Sequence, residues 1–455
     1  MFALPGVQAH IRARADQYLE ILRTLIRQPS VSAQGRGMVE CAGLVARIMN
    51  ELGMEARVVL SAGHPVILGE RAIPGAQRTL LLTSHYDVQP PEPVEAWSCD
   101  PFAAESIGER IIGRGATDAK GNLLAILLAV SVLREMGLLP PVHLKFLFDG
   151  EEEIGSPSLP EFLERHRAEL AADAVLTVDA GLEPPGRPFV WLGSCGLLAV
   201  ELAARGGASD LHSSKARLVP NAAWRLVWAL STLKDPHERV AIGGFYAPVR
   251  PPGPEERRYL EALLWDDAAQ QQALGVTGFL GGVTGLAARE RMLYQPTCTI
   301  TGLISGYAGP GHKEVLPSEA RAKVEFRLVP DQSPAQVLSQ LRAHLDRHGF
   351  GDLEVRELAA TEPSQAPLDS AIALAVREAA AEVYGMEPAI RPRHESSGRQ
   401  GTWIGARLGV PAAITGIGPP GWRGHAPDEF ITVEHFLRGI AFVADVIWRY
   451  ATVAR

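Results

Sequence analysis

The apolar positions of the chain change period several times, and each change marks an element. Near the start, Ile11, Tyr18, Leu19, Leu22 and Leu25 recur at helical spacing with polar residues between them, which predicts an amphipathic helix. Between Val58 and Val178 short apolar runs alternate with helical patterns: "RVVL", "TLLLTSHYDV", a helix after Gly121, "VHLKFLFDG", a helix from Leu159 to Ala171, then "DAVLTVDAG". Such alternation predicts an α/β domain in which helices cover a mixed, largely parallel sheet.

From about Gly196 the pattern changes to "LLAVELAARG", a helical stretch from Asn221, and the Pro-rich loop "YAPVRPPGPEERR". Strands "TCTITGLIS" and "RAKVEFRLV", an amphipathic helix over 334–348 and a strand "DLEVREL" follow. Two helices on an antiparallel sheet is the economical α+β reading. After Asp369 the helix "SAIALAVREAAAEVYG", closed by Gly385, returns to the first style. The expected organisation is therefore a catalytic domain in two parts, 1–195 and 367–455, interrupted by an inserted domain, 196–366.

Composition narrows the function. A chain of 455 residues is long for one core. The net charge of -8, without any Lys/Arg-rich run, argues against nucleic acid as a partner. The start lacks a basic segment followed by an apolar core, so no secretion signal is expected. The uncharged apolar stretch from Asn122 to Leu133 is too short to cross a bilayer and reads as a buried helix. Cys41, Cys99, Cys195 and Cys298 form no CxxC pair, which predicts neither a disulfide framework nor a thiolate zinc site. A cytoplasmic, reducing location is the expectation.

Chemistry-bearing residues gather where the apolar strands end. "LLTSHYDVQP" delivers His85 and Asp87, two apart and so on one face of a strand, where the carboxylate can accept the ring N–H and leave the other nitrogen for a metal. "GRGATDAKG" carries Asp118 into the buried helix, "FLFDGEEEIGS" supplies Asp149, Glu151, Glu152 and Glu153, "LTVDAG" supplies Asp179, and "WRGHAPDEF" supplies His425. Each has an ordinary alternative: a helix cap, a solvated turn, an exposed histidine. Together they put acids and histidines at one edge of one sheet, where open α/β sheets hold ligands, and adjacent carboxylates there call for a cation.

In order, "HYDVQP", "EAWSCDPF", "GRGATDAKG", "DGEEEIGS", "SDLHSS", "FRLVP" and "GHAPDE" resemble the zinc-dependent aminoacylase, acetylornithine deacetylase and carnosinase metallopeptidases, and most of all the carnosinase-like dipeptidases. The resemblance covers nearly the entire chain. It implies a zinc-peptidase fold with an inserted lid and dimerisation domain, and two divalent metal ions per subunit, zinc before manganese or cobalt. His85, Asp118 and Asp179 would hold one ion and Asp118, Glu153 and His425 the other, with Asp87 orienting His85, Glu152 as general base, and a cis peptide between Asp118 and Ala119. Glu151 falls outside the motif and is expected to be solvated.

Further matches are His212, implied to stabilise the oxyanion in a partner subunit's site, and Arg327, implied to clamp a substrate carboxylate. Glu395 is a candidate partner for a substrate ammonium. Two departures stand beside them: "RHESSGRQ" has Ser396 and Ser397 where relatives commonly carry glycines, and His312 in "GPGHKEVLP" replaces Asn or Thr. The function these expectations describe is a homodimeric dinuclear-metal hydrolase cleaving dipeptides or short peptides. An N-acyl-amino-acid amidase or deacetylase is the alternative, and a non-catalytic scaffold or receptor a more distant one.

Overall fold

The structure is a computed structural model that describes residues 4–397 and 400–452. The chain divides into two compact units, one of residues 1–193, 365–392 and 399–455, the other of 194–364 and 393–398.

The first unit is built on an eight-stranded mixed sheet. Its order is Glu55–Val59, Val66–Arg71, Val142–Asp149, Arg78–His85, Ala174–Val178, Ala412–Thr415, Phe189–Trp191 and Ala389–Arg391. The four strands from Val142–Asp149 to Ala412–Thr415 run parallel, and His85 lies opposite Asp149 in register. Their C-terminal ends therefore form one edge, at which His85 closes its strand and Asp179 follows directly on Val178. On one face Leu81, Leu147, Val175 and Ala412 pack with Leu159, Phe162, Leu163, Trp403 and Ile404. The other face carries the helix Lys120–Glu135, which is apolar almost all round and buried along its length to Leu133. That helix in turn meets the long C-terminal helix Val433–Thr452.

The helical spacing near the start yields two helices, Val7–Ala13 and Ala15–Arg27, with all five marked residues buried. Among the described residues no helix is long and apolar enough to cross a membrane. All four cysteines are free. The helix expected over 159–171 stops at Arg165.

The second unit is an antiparallel sheet in the order Thr297–Ser305, Glu319–Leu328, Gly193–Arg205, Glu354–Thr361. Alternation along Glu319–Leu328 turns Ala320, Ala322, Val324, Phe326 and Leu328 to one face. There they join Leu226, Ala229 and Leu230 of the helix Ala222–Ser231 and Val337, Leu341 and Leu345 of the helix Pro334–Arg347 in one core. Asn221 caps the first helix by accepting from the N–H groups of Ala223 and Trp224. Three further helices, Pro254–Ala262, Asp267–Leu274 and Gly285–Tyr294, occupy what reads in sequence as a Pro-rich loop and its continuation. Pro254 opens the first of them, a position where a missing N–H costs nothing.

Candidate metal centre

Five side chains meet at the strand-end edge of the first unit. His85 Nε2 lies 3.1 Å from Asp118 Oδ1 and 3.5 Å from Asp179 Oδ1. His425 Nε2 lies 3.1 Å from Asp118 Oδ2 and 3.2 Å from Glu153 Oε2. His85, Asp118 and Asp179 form one group with ligand atoms within 4.8 Å of one another, and Asp118, Glu153 and His425 form a second. Asp118 belongs to both and offers a different oxygen to each histidine.

The donor set fits divalent cations. His85 Nε2 and Glu153 Oε1 are buried with no hydrogen-bond partner, although the carboxylates of Asp118 and Asp179 stand near the first and His425 faces the other oxygen of Glu153. Atoms held close but out of hydrogen-bond alignment are what a shared cation between them requires. Charge argues the same way, since Asp118, Asp179, Glu152 and Glu153 are set against two imidazoles. Burial first, and then the charges of Asp179, Asp118 and Glu153, hold the Glu152 carboxyl up at about 8 against the pull of His85. Burial would lower His85, yet the carboxylates of Asp118, Asp179 and Asp87 around it leave it well above the usual imidazole range. Asp118 stays below the usual carboxylate range despite its burial, held there by His425 and His85.

Local structure explains the placement. His85 is fixed from behind, with Nδ1 3.1 Å from the Asp87 carbonyl and 3.2 Å from Asp87 Oδ1. The Asp87 carboxylate also accepts the N–H groups of Glu152 and Glu153, at 3.2 and 3.0 Å, and so aims the short helical turn Glu152–Ile154 as well as the imidazole. The Asp118–Ala119 peptide is cis. Within that turn the two acids differ. Glu153 Oε2 receives Gln89 Nε2 at 2.9 Å and faces His425, while the Glu152 carboxylate has no hydrogen-bond or ion-pair partner among the described residues.

Glu151, expected to be solvated, is instead 3% exposed and accepts from the N–H groups of His64 and Ser158. Its reach back to the 61–64 loop is a contact that spacing cannot reveal. Sequence reasoning also passed over Gln89 and Asn122. Asn122, fully buried, donates to the carbonyls of Thr117 and Ala180 and accepts from Ile417 N–H, tying together the loops that carry Asp118 and Asp179.

The remaining candidates belong to the second unit. His212 is exposed; its Nδ1 accepts from Ser214 N–H at 3.1 Å and its Nε2 lies 2.9 Å from Glu314 Oε2. Arg327 donates to Ser397 Oγ at 2.6 Å and pairs with Glu325 at 2.8 Å, so one of the two serine departures touches it directly. Glu395 is exposed, 3.7 Å from His394 Nε2, and His312 is exposed on its loop.

Residues 81–449 match the peptidase family M20/M25/M40. A solved M20 family metallo-carboxypeptidase from Sulfolobus solfataricus is 36% identical, with a TM-score of 0.84 over 96% of this chain and 100% of its own. The Beta-Ala-His dipeptidase of Rattus norvegicus is 28% identical over 71% of this chain and 67% of its own length. The Cys-Gly metallodipeptidase of Schizosaccharomyces pombe is 28% identical over 74% of each. The fold, the two overlapping ligand groups and these similarities lead to one conclusion: the chain belongs to peptidase family M20/M25/M40 and is a metallopeptidase.

Proposed function

We propose that the protein is a dipeptidase working with two divalent metal ions, one held by His85, Asp118 and Asp179 and the other by Asp118, Glu153 and His425. The observation that carries this reading is the pair of groups sharing Asp118, with Glu152 beside them and uncommitted. Held by those residues, the ions would supply Lewis-acid chemistry, making a water a better nucleophile and the scissile carbonyl a better electrophile. The nitrogen and oxygen donors suit zinc, and a carboxylate-rich set also accepts manganese or cobalt.

Glu152 takes the proton of the attacking water and later passes it to the leaving amine. Its environment favours that role, because burial among acids makes it more basic than an ordinary carboxylate. His212 donates to the developing oxyanion from a partner subunit, Arg327 receives the substrate carboxylate in bidentate fashion, and Glu395 pairs with the substrate ammonium. A homodimer is supported by exposed apolar surface on the second unit: Trp224 and Trp228 stack 5.7 Å apart with more than half of each ring residue exposed, and Ile300, Leu303 and Ile304 lie bare on an edge strand. Action in the cytoplasm fits four free cysteines.

A second reading, removal of a C-terminal residue from N-blocked or longer substrates, is favoured by the likeness to the Sulfolobus metallo-carboxypeptidase. One comparison separates the two. With purified, metal-supplemented protein, a free dipeptide, its N-acetyl form and its C-terminal amide are offered in parallel. A dipeptidase cleaves only the free dipeptide efficiently. Equal turnover of the N-acetyl form replaces this reading with the carboxypeptidase or N-acyl amidase one.

A further inference from the structure

We propose that Glu429 is a positioning residue for the metal centre: it sets the backbone that presents Asp118 and locks it to the loop carrying His425. This rests on the reading of Asp118 as the ligand common to both ions.

Glu429 is fully buried, and its two oxygens receive four donors. Oε1 accepts the N–H groups of Thr117 at 3.0 Å and Asp118 at 2.9 Å. Oε2 accepts the N–H of Gly115 at 3.0 Å and Arg114 Nη1 at 2.7 Å. Three of the four come from the main chain of one turn, so the carboxylate fixes the path of the backbone itself. Gly115, at φ 88°, supplies a left-handed residue that lets the turn aim its N–H groups inward. Two more bonds join the same segments, Thr117 Oγ1 to the Phe430 carbonyl at 2.8 Å and Gly113 N–H to the Glu429 carbonyl at 2.9 Å.

His425 lies four residues before Glu429 in the same loop, with its Nε2 3.1 Å from Asp118 Oδ2. One side chain thus governs the relative placement of two members of one ligand group. Because Asp118 belongs to both groups, an error there spreads to each. Arg114 keeps the buried charge neutral and lies over the Trp97 ring at 5.2 Å. An amide cannot substitute for this carboxylate: with main-chain N–H groups on both oxygens, either orientation of glutamine sets donor against donor.

The test is Glu429→Gln in the full chain, stripped of metal and titrated with cobalt(II) against a competing chelator. The visible spectrum of the loaded protein and the melting point of the metal-free protein are recorded alongside. A positioning role gives about 10- to 100-fold weaker cobalt binding, the usual cost of losing a partner that orients a ligand, together with an altered cobalt absorption band. Wild-type affinity and spectrum overturn the proposal even if the melting point falls, because a mere brace would move only the latter. If the glutamine variant does not fold, Glu429→Asp, which keeps the charge and withdraws the oxygens, is read by the same criteria. Asp118→Asn serves as the separate control: retention of two tightly bound ions in that variant sinks the shared-ligand reading, whatever Glu429 does.

Discussion

The two units hold most of their chemically able side chains in opposite ways. In the first, His85, Asp118 and Asp179 are each at most 8% exposed and each is braced from behind, His85 by Asp87, Asp118 through its own N–H to Glu429 and Asp179 through its own N–H to the Thr415 carbonyl, while His425 alone of the five has an exposed side chain, at 56%. In the second, His212 and its partner Glu314 both have side chains about 60% exposed, and their pairing is of the solvent-screened kind that contributes little. Such rigidity is needed where several donors must share small ions, since errors of a few tenths of an ångström weaken all of them. A residue that meets substrate only during turnover can remain in solvent until then. On the proposed function, the contrast separates residues that build a centre from residues that visit one.

The strongest way to break that division is inside the first unit. Glu152→Gln is expected to lower kcat by roughly 10²–10⁴-fold, as for a lost general base, with metal content measured by mass spectrometry unchanged; Glu153→Gln is expected to lose metal. A reversal of those two outcomes would exchange the roles of neighbouring acids. Next comes His212→Ala, expected to lower kcat by roughly 10²–10³-fold with both ions retained. Mixing it with Glu152→Gln sharpens the point, because a mixed dimer acting in trans regains one intact site. If the subunits exchange and no activity returns, His212 does not act across subunits.

A smaller effect is expected from Trp228→Asp. If a second copy covers the exposed tryptophans, losing this anchor weakens association by about 2 kcal/mol or more, seen as a shift toward monomer in sedimentation with the metals still bound. An unchanged dimer means that another surface joins the copies. Last is a change of slope at Asp149, whose carboxyl is raised to about 7 by burial first and then by Asp87. The folded form holds this proton to higher pH than the unfolded chain, so this group's contribution to stability falls as pH rises from about 4 to 7. Asp149→Asn should therefore gain on the wild type over that window, by on the order of 4 kcal/mol, in urea titrations of metal-free protein. A parallel pH dependence in the two proteins would mean that Asp149 is not buried as a proton holder.

Much of the first unit is legible because periodicity and chemistry coincide there. The run ending at His85 and the run ending at Asp149 are both apolar enough to read as buried strands, and a parallel sheet then brings their ends together. The short strands Phe189–Trp191 and Ala389–Arg391 were not legible, since three residues carry no period. Asn122 was hidden for a different reason: in an apolar helix it looks like an ordinary first-turn polar residue, and only the fold brings the Ala180 carbonyl to it. In the second unit the two helices on the sheet follow from their apolar spacing, whereas the helices over 254–294 bury few residues and leave little pattern to read.

The wide spread of the ligands along the chain also sets an order of assembly. The strands ending at His85 and Val178 and the helix behind Asp118 have all been synthesised once the chain passes Asp179, so the residues of one group are made early. The other waits for His425, and the strand Phe430–Thr432, just beyond it, must first find Arg110–Ile112. At about 5–20 residues per second, roughly 10–50 s of translation separate the two groups. The side chains of the first group therefore exist well before Glu429 is there to hold the Asp118 backbone or the Thr415 carbonyl to receive the Asp179 N–H, so both groups reach their final geometry only when the end of the chain has been made.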